Sequence, residues 1–466
     1  MSFENERIKP ASKVDGDELL GPPSPFDIGE PDLGTRPQRS LGRNAFETIV
    51  FRGAGLPLSF AVSVVTSRFL EPAGRGAFVL ALLSVTMAAA IFGSIGTAVS
   101  REFDRAPSRR RVAFVEALLT TIAVSFPVTI VLAVIDLALA QPGYRRIAFV
   151  AVALLPILVT QTVSGALLAL GRLRLWNGLQ LLSSGGTLVG MLVFVVLLSK
   201  GVTGAVFAWT LAQGIVGVVA VVGARDLWLP LPKIAWAGNR AFVMLVYGVR
   251  LGLVNLLSLI NYRIELIILQ LYAGLHAVGI YSLAVSLGEL VWLGSSAVAA
   301  ALVAPMVTGE VEPAAGLVAR AARNVLVLAV IGGTVLASAA PFLVPPLFGS
   351  EFRASVAPLL VLIPGIVLFA PGSTIANFFS IKVGKARYSF WMTALSAAAT
   401  AVAAVIAIPR IGVLGAALAS TVGYAGTMLV VYWWFCRLTS MSVIDLLPHK
   451  SDLIAYRTAL AAVIRR

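Results

Sequence analysis

Leu70-Glu71-Pro72-Ala73-Gly74-Arg75-Gly76-Ala77-Phe78-Val79-Leu80-Ala81 returns later in the chain as Leu271-Tyr272-Ala273-Gly274-Leu275-His276-Ala277-Val278-Gly279-Ile280-Tyr281-Ser282-Leu283-Ala284. In both stretches a glycine stands two residues before an aromatic and four before a Leu-Ala pair. Two further echoes follow. Gly171-Arg172-Leu173-Arg174 matches Gly384-Lys385-Ala386-Arg387, and Gly201-Val202-Thr203-Gly204 matches Gly412-Val413-Leu414-Gly415. The offsets are 203, 213 and 211 residues, so the middle of the chain reads as two copies of one unit. In an apolar chain such a duplication points to a transporter, because these folds build their site between two related halves.

The composition is 58% hydrophobic and 12% charged, with a mean hydropathy of +0.92, which excludes an ordinary soluble protein. Apolar runs fall at 46–67, 76–99, 112–139, 147–170, 178–199, 205–223, 242–272, 277–303, 324–348, 355–380, 390–409 and 414–435. Each can cross a hydrocarbon core of about 30 Å as helix. The predicted fold class is therefore an all-α polytopic membrane protein with about 12 transmembrane helices, six in each copy. The expected organisation is a disordered cytoplasmic tail at 1–45, bundles at 46–223 and 242–435, an interfacial linker at 224–241 and an amphipathic cytoplasmic tail at 436–466. Trp228 and Trp236 suit the linker to the headgroup level. Leu453, Tyr456, Leu460 and Ile464 give the tail an apolar stripe. The polar N-terminus has no apolar core of a cleavable signal peptide.

A net charge of +14 invites a nucleic-acid reading, but its distribution speaks for topology. With the N-terminus inside, 26 of the 36 Lys and Arg fall in cytoplasmic segments. That bias places both termini in the cytoplasm. Cys436 is the only cysteine, and His276 and His449 have no ligand spacing, so neither a disulfide nor a metal site is expected. No phosphate-cradling G-x-x-x-x-G-K-[ST] segment occurs, and no cofactor or catalytic residue is expected.

Charge at bilayer depth is costly and usually faces a wet cavity. Arg52 opens the first span; Arg250, Arg263 and Glu265 lie in the seventh; Glu289 lies in the eighth. Arg52 and Arg250 open the first span of each copy and either snorkel to headgroups or converge on the interface between the halves. Glu116 and Asp136, near the two ends of the third span, read as snorkelling residues. Prolines inside spans, among them Pro57, Pro127, Pro341, Pro345, Pro346 and Pro364, are expected to kink their helices. The seventh apolar run is longer than the bilayer is thick, so it must tilt, break or begin along the surface. Asn255 and Asn261 would favour a bend there.

Ser67-Arg68-Phe69-Leu70-Glu71-Pro72-Ala73-Gly74-Arg75-Gly76, followed by an apolar span, resembles the first loop of polysaccharide-export flippases. These belong to the multidrug/oligosaccharidyl-lipid/polysaccharide exporter superfamily. Tyr262-Arg263-Ile264-Glu265-Leu266-Ile267-Ile268-Leu269, with the stretch from Val278 to Ala284, resembles their arginine–acid and VGxYxxA patterns, and Leu347-Phe348-Gly349-Ser350-Glu351-Phe352 resembles the segment before their tenth span. The likeness spans about 45–437. Glu265 stands where the family often has Asp. The resemblance implies two six-helix bundles around a central cavity, in the plasma membrane of a bacterium. It also implies flipping of a polyprenyl-pyrophosphate-linked oligosaccharide.

A pyrophosphate between lipid and sugar suits arginine, whose planar fork forms bidentate charge-assisted bonds. Arg52, Arg250 and Arg263 are thus the candidate substrate-binding residues, and Glu265 and Glu289 the candidate coupling residues. The expected partners are a lipid-linked oligosaccharide and membrane lipids, with a glycan polymerase and glycosyltransferases as further candidates and no nucleic acid. Three other readings stay open: a peptidoglycan lipid-precursor flippase, a multidrug-type cation antiporter, and a non-transporting partner of a glycan polymerase. An enzyme is not expected.

Overall fold

A computed structural model of the chain describes residues 38–139, 142–232, 238–292, 311–383, 387–439 and 441–447, together with 295, 298, 299 and 302. Most of the expected N-terminal tail, the tail stripe after 447 and Trp236 lie outside the described residues. Among the described residues the architecture is helical without strands. The helices are α1 (Gln38–Phe92), α2 (Ile95–Arg105), α3 (Arg110–Leu139), α4 (Leu154–Ala169), α5 (Leu173–Met191), α6 (Gly201–Gly223), α7 (Gly238–Gly288), α8 (Val311–Phe348), α9 (Val356–Phe369), α10 (Gly372–Asn377) and α11 (Arg387–Thr439).

Nine stretches among the described residues are long and apolar enough to cross a membrane. Three of them, Gly53–Arg105, Arg240–Val291 and Arg387–Thr439, hold 52 or 53 residues. As straight helix each would run about 80 Å, far beyond a bilayer core. They are hairpins instead. Arg75 Nη1 donates to the Ser63 carbonyl at 3.0 Å, a residue that an unbroken helix would hold about 18 Å away. The Tyr281 hydroxyl donates to Glu265 Oε1 at 3.4 Å across a sequence separation of 16. In α11, a Cβ added to Gly423 would stand 3.1 Å from the Thr400 nitrogen. Counted by arm, the spans among the described residues number about twelve, as expected.

The reversals occur at repeat-matched positions. Glu71 (φ 58, ψ 172) breaks α1 and Gly274 (φ 75, ψ −178) breaks α7; they are separated by the 203-residue repeat offset. Gly201 (φ 54) opens α6 and Gly412 (φ 56) breaks α11 at the 211-residue offset. Two copies that have drifted in sequence keep the same left-handed residues. Glycine adopts this backbone freely, whereas Glu71 pays about 1–3 kcal/mol for it. The expected proline kinks are not where these helices break: helical dihedrals continue through Pro57. Nor does α7 bend at its asparagines. Its one non-helical residue is Gly274, and Asn255 Nδ2 instead donates to Ser94 Oγ at 2.9 Å.

Two compact units emerge. Of the described residues, the larger takes in those of Gly34–Leu283 with Phe342–Ser355, and the smaller those of Ala284–Pro341 and Val356–Arg466. In the larger unit one core centres on Val85, Val150, Leu154 and Val206, and another on Ile95, Phe114, Val163 and Ala220. Lipid tails are as apolar as leucine, so helices here gain by close approach at small residues rather than by leaving water. A Cβ on Gly76 would lie 3.0 Å from the Leu275 carbonyl carbon; a Cβ on Gly279 would lie 2.6 Å from that of Pro72. Pro72 and Leu275 are themselves repeat mates, so the second arms of α1 and α7 cross reciprocally, glycine against partner backbone. In the smaller unit Thr421 of α11 donates to the Val361 carbonyl of α9 at 2.6 Å. Trp292, Phe369 and Tyr424 stack there, and Trp292 Nε1 donates to the Ile366 carbonyl at 2.9 Å.

Candidate functional site

Helix α7 carries three of the five expected site residues, and the structure separates their environments. Arg250 is exposed, Arg263 is half-buried with Nη1 3.4 Å from the Tyr262 carbonyl, and Glu265 is 1% exposed. Thirteen residues separate the two arginines, about 20 Å along the axis and on different faces. Glu289 is half-buried in the 3-10 turn Glu289–Val291. Arg52 lies in α1, and its side chain is outside the described residues.

Polar contacts from other helices of the larger unit meet α7 along its first arm. Arg240 Nη2 reaches Glu116 Oε1 at 3.2 Å, the Arg101 guanidinium lies 4.7 Å from the Tyr247 ring centroid, and Asn255 meets Ser94. Nearer the bend, Asn261 and Glu265 are each 1% exposed, one turn apart on one face. Between these polar points a Cβ on Gly248 would meet Ile95, and one on Gly252 would meet the Ile91 backbone. Small residues thus bring α7 close enough for short polar side chains to pair.

The snorkelling reading of Glu116 is corrected. It is 1% exposed and paired with Arg240, because α7 covers the face of α3 that a single-helix reading would leave to lipid. Asp136 is half-buried and accepts from Ser84 Oγ at 3.1 Å. Outside the spans, Arg172 Nη1 donates to Asp226 Oδ1 at 2.8 Å, and this guanidinium holds the Asp226 carboxyl below the usual carboxylate range.

The residue that sequence reasoning missed is Arg75. It is 3% exposed, and its guanidinium gathers both arms of α1 and the second arm of α7. Nη1 donates to the Ser63 carbonyl, Thr66 Oγ1 and Ser67 Oγ at 3.0, 3.1 and 2.7 Å. Nη2 donates to Ser63 Oγ and Nε to Ser282 Oγ, both at 3.1 Å. With these partners Arg75 is a fastener for the hairpin. One signal was available: its repeat mate at the 203-residue offset is Val278, so a charge stands in one copy where the other is apolar. A groove of about 720 Å³ between α1, α5 and α6, lined by Leu58, Gly185, Val189, Phe194 and Leu211, is apolar and holds none of the candidate residues.

Residues 41–308 match the family described as Polysaccharide biosynthesis protein, more than half of the chain. The chain belongs to that family. Its fold is also that of solved transporters of the exporter superfamily expected above. A multidrug resistance MATE family transporter of the MOP superfamily, in an inward-facing conformation, is similar with TM-score 0.67 and 18% identity, over 82% of this chain and 94% of that one. An MOP superfamily transporter from Pyrococcus furiosus is similar with TM-score 0.60 and 17% identity, over 87% and 96%. The lipid II flippase MurJ, in an inward closed conformation, is similar with TM-score 0.73 and 11% identity, over 85% and 89%. At these identities the likeness establishes the fold. No curated protein matches. A multi-pass membrane protein of polysaccharide biosynthesis is thereby established.

Proposed function

We propose that this protein flips a polyprenyl-pyrophosphate-linked oligosaccharide across the plasma membrane of a bacterium by alternating access. The observation that carries the reading is the family match over residues 41–308 on a chain with the fold of MOP transporters. The basic bias of the inside segments supports cytoplasmic termini. Two sequence-related bundles, 46–223 and 242–435, would rock about the substrate. Arg52, Arg250 and Arg263 would grip the pyrophosphate, because a bidentate guanidinium matches phosphate oxygens. Glu265 and Glu289 would couple the cycle to an ion gradient by alternating between charge states or partners. A glycan polymerase and glycosyltransferases are the proposed partners.

Proteoliposomes loaded with a fluorescent polyprenyl-pyrophosphate glycan test this. Arg250→Ala should abolish flipping while insertion persists, with Arg250→Lys restoring part of it. Undiminished flipping by the Arg52→Ala/Arg250→Ala double variant would refute the grip. Glu265→Gln should uncouple flipping from an imposed proton or sodium gradient. The TM-score of 0.73 to a lipid II flippase favours one second reading, a peptidoglycan lipid precursor as cargo. Lipid II in the same assay, outcompeting the oligosaccharide, would select it.

A further inference from the structure

Phe342–Ser355 belongs to the larger unit, although the residues before it, up to Pro341, and after it, from Val356, belong to the smaller one. Four host residues hold this segment. Arg68 Nε donates to the Leu347 carbonyl at 2.9 Å and its Nη2 donates to the Pro346 carbonyl. Phe60 meets Phe348 edge-on with ring centroids 5.6 Å apart. The Arg75 guanidinium stands 6.0 Å from the Phe352 ring centroid. Ser355 Oγ donates to the Ile280 carbonyl at 2.8 Å. Phe352 and Ser355 are buried, whereas Arg68 is exposed.

The chemistry at the end of α8 fits a segment that can let go. The last carbonyls of a helix have no partner in their own helix, and those of Pro346 and Leu347 end α8. Arg68 caps them from another helix, with a charge that a helix C-terminus favours. Being exposed, that guanidinium can exchange these acceptors for water or headgroups. One turn before those capped carbonyls, Pro345 and Pro346 lack the N–H groups that would bond the carbonyls of residues 341 and 342, so the α8 ladder is interrupted where the segment begins.

We infer that Phe342–Ser355 is a releasable strap, latched by Arg68, whose detachment frees the bend end of α1 and α7 during the transport cycle. The inference deepens the transport reading and rests on it. Two measurements on the full chain in a Cys436→Ser background separate the two ideas. In the first, Ser355→Cys is introduced and its reaction with a maleimide is followed in purified protein. Burial should keep the rate low, and adding Arg68→Ala should raise it about tenfold without lowering the melting temperature, with Arg68→Lys in between. An unchanged rate overturns the latch. In the second, Phe60→Cys and Phe348→Cys are joined by a short reducible cross-linker. Flipping of the fluorescent glycan should fall at least tenfold and recover on reduction. Full flux through the cross-linked protein overturns the strap. If Ser355→Cys labelling follows Arg68 while the reduced protein moves no glycan, the cargo reading falls and the latch stands.

Discussion

Adding one methyl group to Gly279 should force apart the second arms of α1 and α7 where they cross. A Cβ there would lie 2.6 Å from the Pro72 carbonyl carbon and 2.9 Å from its Cα. Comfortable carbon–carbon contact needs about 3.5–4.0 Å, so the crossing must open by roughly 1 Å. The obstacle is backbone, which has no rotamer to turn aside. Overpacking of this kind costs about 1–3 kcal/mol, and Gly279→Ala belongs at the upper end. Gly76→Ala meets the same crossing from the other side, at 3.0 Å from the Leu275 carbonyl carbon. The two penalties should not add, because an opening that admits one methyl admits the other. Thermal unfolding in detergent is the assay. At roughly 2 °C per kcal/mol, Gly279→Ala should lower the melting temperature by about 5 °C. The double variant should fall little further. Additive losses, or a Gly279→Ala protein melting with the parent, would refute the reciprocal crossing.

Three further outcomes are expected. Glu71→Gly should stabilise the protein by about 1 kcal/mol, because it removes a side chain from a backbone region that glycine alone occupies easily; a lower melting temperature would show that Glu71 has a role its backbone conceals. Arg240→Ala leaves the buried Glu116 without that partner and should cost about 2–4 kcal/mol, and adding Glu116→Ala should recover part of the loss in the same unfolding measurement. The exposed Arg172–Asp226 pair should contribute at most about 1 kcal/mol. Because the folded Asp226 value is lowered, that contribution should be complete above the unfolded carboxyl value of about 3.9 and vanish as the pH falls through the folded one; Asp226→Asn should erase this acid dependence.

The spans and the duplication were legible because both are one-dimensional: a run of apolar residues, and an offset between like strings. The bends at Glu71 and Gly274 were implicit in the same alignment, since position 71 aligns with position 274 at the offset that the glycines define. What the sequence hid is lateral. Glu116 is recognisable as an acid near the end of a helix, but its face can be judged only once α7 lies over it. Arg240, its partner, fell inside the expected linker and opens α7 instead. Arg75 escaped for a related reason. Its partners Ser63, Thr66, Ser67 and Ser282 are common in membrane helices, and only the fold-back of two hairpins makes them a cluster. Arg250, Arg263 and Glu265 were visible as charges in an apolar run, yet a charge pattern does not say which side of a helix meets which neighbour.

The single left-handed residue that reverses α1 has a consequence for anyone probing the protein from that side of the bilayer. With Glu71 alone departing from helical geometry between the arms, the turn has no slack backbone that a protease could draw into an extended form or an inserted tag could lengthen harmlessly. A tag at residue 71 or 274 should therefore disrupt insertion rather than report on it. Gly143, exposed and with nothing within 4 Å of an added Cβ, is the place to put a reporter.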